Sequence, residues 1–241
     1  LKNKKKEKTI LATSEAIILQ CPNSELTLKK DIINKLMELI SFASGTYVTW
    51  IYEDTVKENK IIATKLLPHK TINYHHRDLG IDTDHLGHCD LKNFLEGVYK
   101  NYAHLREKLG LFAVIEYYVS SKSINNLLEI NYLVAVTALD CLTSYLSDYF
   151  REKNQNEDLS TFKNRLIAVC KEFNITYNED DFNFIKIQDK IVHTGKFPQD
   201  KSPLEEYHNV INFVDRIILG ILGYTGEYLN IKNHYKKETF K

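Results

Sequence analysis

Residues 182–197 read F-N-F-I-K-I-Q-D-K-I-V-H-T-G-K-F and hold the densest set of side chains that could do chemistry. Asp189 and His193 stand four residues apart, which on a helix sets a carboxylate one turn before an imidazole. Such a carboxylate can fix the imidazole's tautomer and raise its basicity, as general acid–base chemistry requires. At about 100° per residue, Lys186 falls on the same strip, while Gln188 points toward the apolar flank between Phe184 and Val192. Polar i,i+4 pairs are common on plain helix surfaces, so spacing alone favours an ordinary surface pair.

The flanking residues dictate where this helix starts and stops. Asn178 can accept from the first-turn N–H groups, and Glu179, Asp180 and Asp181 set negative charge where those groups are unpaired. Gly195 suits a left-handed exit, and Pro198 opposes a restart. The helix should therefore end near His193 and hold its imidazole at the carboxyl end.

The segment I-Q-D-K-I-V-H-T-G resembles the signature of the HEPN superfamily (higher eukaryotes and prokaryotes nucleotide-binding domains). That signature is an arginine, a polar residue, a short spacer and a histidine near the end of a helix. Asp189, Val192, His193 and Gly195 match it, and Gln188 stands where the arginine is expected. The flanking helices resemble Apea-like HEPN proteins of bacterial defence and toxin systems, so the likeness covers roughly residues 91–230.

The resemblance implies a metal-independent endoribonuclease working as a homodimer, with two motifs meeting across a two-fold axis. RNA is cut without metal when its 2′-hydroxyl attacks the adjacent phosphate. His193 would move the proton and Asp189 would orient it, while phosphate charge needs a cationic partner. Gln188 offers no charge. Lys186 could supply one, as a point rather than a fork. The alternative is a catalytically silent HEPN module that binds RNA, a nucleotide or a partner protein. Asp140, in A-L-D-C-L, sits where HEPN proteins often carry an acidic residue, although its helical angle points it to solvent.

A second group of chemically able residues fills 69–90, including His75, His76, Asp78, Asp82, Asp84, His85, His88 and Cys89. His85 and His88 could share a helical face and ligate a metal with Cys89. No standard zinc spacing is met, and Gly80 and Gly87 suit an irregular polar connection. No phosphate-cradling glycine loop occurs, so no cofactor is expected.

Composition narrows the class. Hydrophobic residues make up 43% of the 241, enough for a core, and 32 basic residues balance 32 acidic ones. No global basic field advertises nucleic acid, so RNA contact must use a local patch. The basic run 2–8 is read as a solvated arm. Cys21, Cys89, Cys141 and Cys170 lack paired spacing, which fits thiols of a cytoplasmic protein. The most apolar stretch, 210–224, is short and carries Asp215 and Arg216, so no membrane span is expected. The start at Leu1, inside a Lys-rich run, suggests an upstream domain or partner.

The elements that must position the motif follow from periodicity. The expected class is mainly α, an up-and-down HEPN-like bundle over 91–230. A small α+β segment at 1–90 precedes it, and 231–241 form a tail. In the first part, residues 9–20 suit a strand or buried segment, 28–42 a helix, and 47–52 with 61–66 a hairpin. The bundle should hold long helices from Asp90 to about Ser120 and from Ser123 to about Phe150, with Leu127, Ile130 and Val134 facing inward. A third helix covers 159–173, the motif helix is fourth, and a fifth starts at a Ser202–Glu205 capping box with Pro203 in its first turn.

Overall fold

The computed structural model describes residues 26–49, 52–57, 60–66, 88–153, 158–233 and 236–240. The chain is mainly helical. Helix α1 (Leu26–Ser44) leads into an antiparallel hairpin, β1 (Tyr52–Lys57) with β2 (Lys60–Leu66). Then follow α2 (His88–Leu105), α3 (Leu111–Ser121), α4 (Leu128–Ser144), α5 (Leu146–Glu152), α6 (Phe162–Glu172), α7 (Phe184–Thr194) and α8 (Pro203–Ile221). A second hairpin, β3 (Glu227–Asn230) with β4 (Lys236–Thr239), closes the described chain. The expected strand or buried segment at 9–20 and the basic run 2–8 lie outside the described residues.

Helix α8 is the axis of the core. Val210, Ile211, Phe213, Val214, Ile217, Ile218, Leu219 and Ile221 are all buried, so the helix is covered on most sides. Across it, α4 buries Tyr132, Ala135, Val136, Leu139 and Leu142. The apolar run Leu128–Glu152 has the length and composition to cross a membrane, yet half of its window is buried inside this core. Helix α1 joins the same core through Leu39, Phe42 and Ala43. Its Glu38 takes a two-pronged contact from Arg106, at 2.7 Å to Nε and 2.6 Å to Nη2.

Several elements differ from the sequence expectation, each for a physical reason. The long helix expected over 90–120 starts at His88 and breaks between α2 and α3 at Gly110, whose φ of 58° is left-handed. A side chain there would run into the ring of Tyr145, so tertiary packing demands glycine at this bend. The helix expected over 123–150 starts later and divides at Tyr145. Leu127 is 73% and Ile130 45% exposed, because the buried face of α4 runs through Tyr132, Val136 and Leu139 instead. Strand β1 begins at Tyr52, while Tyr47 leaves the hairpin and donates to the Glu116 carbonyl at 3.0 Å. Ser202 makes no side-chain cap bond, so α8 opens on Pro203 without the expected box. Residues expected as a tail pair with β3, and Phe240 packs edge-on against Tyr228.

Candidate functional site

The entry to α7 is built by local chemistry. The Asn178 side chain accepts from the Asp181 N–H at 3.1 Å, and Asp181 returns the bond to Asn178 N–H at 2.9 Å. This reciprocal box caps a 3-10 turn, Glu179–Phe182, and α7 proper begins two residues later. Phe184, Ile187 and Ile191 then bury one stripe of the helix. Each such side chain contributes about 1.5–3 kcal/mol on leaving water.

Tyr132 of α4 fixes the rotation of that stripe. Its hydroxyl donates to the Phe184 carbonyl at 3.2 Å, and its ring meets Phe197 edge-on at 5.1 Å. One buried side chain thus grips α7 at its start and just past its end. Burial, with the Glu206 carboxylate, pushes the Tyr132 phenol well above its ordinary value, so it stays a donor. The exit is the left-handed Gly195, φ 71°, whose N–H bonds to the Ile191 carbonyl at 2.7 Å.

With the stripe held inward, the chemical residues face solvent. His193 Nε2 lies 3.3 Å from Asp189 Oδ1, with their side chains 73% and 76% exposed. The contact leaves Nδ1 as the ring nitrogen available to a substrate. Lys186, Lys190 and Lys196 are exposed beside the pair and have no ion-pair partner among the described residues. Gln188 is half-buried and makes no side-chain hydrogen bond among the described residues. Its neighbour on the supposed apolar flank, Val192, is 62% exposed, so that flank opens to solvent.

The other candidates lie apart. Asp140 is exposed on α4 and faces Arg165 of α6 at 3.7 Å. His85 lies outside the described residues, while His88 and Cys89 fall in the first turn of α2. Among the described residues no group of three His, Cys, Asp or Glu side chains gathers as a metal site.

Sequence periodicity missed several exposed apolar residues. Leu127, Ile130, Val192 and Leu204 are all exposed. Tyr207 donates to the Ser121 carbonyl at 2.9 Å, which joins the start of α8 to the α3–α4 loop. The Tyr132–Phe197 contact joins the end of α7 to the start of α4. The exposed apolar residues thus sit at the start of α4 (Leu127, Ile130), near the end of α7 (Val192) and at the start of α8 (Leu204). Only the turn positions of 122–127 could have signalled this, since a loop residue is not bound by helical phase.

Compared with family models, curated proteins and solved structures, the chain matches none.

Proposed function

We propose that the chain is a cytoplasmic, RNA-directed module with an up-and-down HEPN-like bundle, of the kind used in bacterial defence or toxin systems. The observation that carries this reading is the exposed Asp189–His193 pair, 3.3 Å apart, with exposed Lys186, Lys190 and Lys196 close in sequence and without an ion-pair partner among the described residues. The lysines suit an RNA backbone, and His193 suits proton transfer from a 2′-hydroxyl. Attack on the adjacent phosphate would expel the 5′-oxygen, which takes up a proton, and leave a cyclic phosphate. Val192, exposed one residue before His193, is an apolar side chain that a second copy could cover, as a two-fold composite site needs. The free thiols Cys141 and Cys170 fit a reducing compartment.

A second reading, RNA binding without cleavage, is favoured by Gln188. An uncharged, half-buried amide cannot fork onto phosphate oxygens. Loss of one electrostatic donor typically costs about 10²–10³ in rate. The test is cleavage of a mixed RNA pool with and without EDTA, by the wild type and by His193→Ala. Cutting that survives EDTA and vanishes in the variant supports the nuclease. RNA retention without cutting supports the binding module, and neither cutting nor retention removes both.

A further inference from the structure

A cleft of about 580 Å³ opens where the 3-10 turn, the start of α7, one side of α8 and the C-terminal hairpin meet. Phe184 lines it, so it lies some nine residues, roughly 14 Å along the axis of α7, from His193. Its volume suits a small molecule rather than a chain.

Most charged groups here are settled within the protein. Arg216 contacts Asp181 at 3.2 Å and donates to the Thr176 carbonyl. Lys201 faces Glu206 at 3.4 Å. Glu238 accepts from Asn230 at 2.8 Å, from Asn233 at 2.7 Å and from Tyr228 at 3.2 Å.

Two amides are not settled. Asn212 lines the cleft, is 6% exposed, and its Oδ1 has no hydrogen-bond partner among the described residues. Asn209, one turn earlier on the same side of α8, donates its amide N–H to Glu206 at 3.4 Å, but its buried Oδ1 has no partner among the described residues. Buried polar side chains are nearly always satisfied, so two orphan acceptors on one wall call for donors that the described residues do not supply. The terminal torsion of asparagine is soft, so each amide can turn its oxygen to a donor entering the cleft.

The charge of the wall selects among donors. Five carboxylates line the cleft against three cations, and Asp180 and Glu205 are exposed carboxylates with no ion-pair partner among the described residues. A phosphate-bearing ligand would meet net repulsion, whereas an ammonium or guanidinium would be attracted. Phe184 and Val210 give the same wall an apolar floor for methylene groups.

We propose that this cleft binds a small alkyl amine or guanidine, whose N–H groups reach Asn209 and Asn212 and whose charge is balanced by Asp180 and Glu205. The site is separate from the His193 strip and does not rest on the RNA reading.

Titration calorimetry of the full chain tests it, with agmatine and spermidine as probes and glucose and inorganic phosphate as comparators. The amines are expected to bind, and the comparators to give no signal. Asn212→Leu keeps the branched shape and heavy-atom count of the side chain and removes the orphan amide. It should weaken amine binding by about tenfold or more while the unliganded melting temperature holds or rises. Asp180→Asn with Glu205→Gln should also weaken the amines and flatten their salt dependence. Amines that give no heat and no melting shift would overturn the proposal. So would equal binding by Asn212→Leu, or glucose binding where the amines do not.

Discussion

The two ends of α7 are built on opposite principles. The amino end is enclosed: a reciprocal Asn178–Asp181 box, Phe184 wedged against Phe162 and Phe213, and a polar cleft whose charges are mostly paired. The carboxyl end is open, with His193, Asp189 and three lysines in solvent beside the uncovered Val192. A cleft of about 580 Å³ suits a small molecule. An open end needs a large partner to complete it, because exposed charges gain little until water is displaced. The contrast is the basis for proposing small-molecule binding at one end and macromolecular contact at the other.

The sharpest way to break this division is to truncate one side chain at each end. Phe184→Ala empties a buried site under the cleft and beside the Tyr132 contact, and should cost about 3–5 kcal/mol in denaturant unfolding. His193→Ala, on an open surface, should change stability by less than about 0.5 kcal/mol. Similar losses in both would contradict the contrast.

Next in size is Gln188→Arg. If only the phosphate-binding charge is missing at the open end, RNA cleavage should rise by about 10²–10³, and adding His193→Ala should abolish it. Because Gln188 is half-buried rather than enclosed, the guanidinium can reach water and the melting temperature should stay close to that of the wild type. A stable variant that cuts nothing leaves the binding-module reading.

Tyr132→Phe is a smaller probe of the link between the ends. It removes the bond to the Phe184 carbonyl and should cost about 1 kcal/mol, while the ring contact with Phe197 remains.

The enclosed end should also show an acid signature. Burial raises the Glu238 pKa, but hydrogen bonds from Asn230, Asn233 and Tyr228 outweigh it and hold the group below the ordinary 4.5. A depressed folded value means the unfolded chain binds the proton first as pH falls. The stability advantage of the wild type over Glu238→Gln should be full above about pH 4.5 and vanish as pH drops through the depressed value. A constant difference from pH 7 to pH 3 in thermal melts would contradict it.

What the sequence made legible was local. Asn178, Gly195 and Pro198 mark the motif helix because caps and breakers act within a turn of themselves, and the helix indeed ends at Thr194. The 28–42 periodicity likewise corresponds to α1. What stayed hidden depends on distant contacts. Gly110 breaks a helix because Tyr145 packs over it, a partner 35 positions on in the sequence. Leu127 and Ile130 lie in solvent because the phase of α4 is set by the Tyr132 face. The cleft draws on segments around 176–184, 201–216 and 228–238, none of which carries a motif alone. The Asp189–His193 pair was legible as spacing, and its exposure agrees with the surface-pair reading of that spacing.

The central claim is that the open end of α7 meets RNA. Its most direct test is RNA affinity by fluorescence anisotropy across a salt series, for the wild type and for Lys186→Ala/Lys190→Ala/Lys196→Ala. If the three lysines each neutralise a phosphate of single-stranded RNA, the slope of log affinity against log salt should fall by about 2, and affinity at low salt should drop with the fold intact. An unchanged slope and affinity in the folded triple variant would contradict the account.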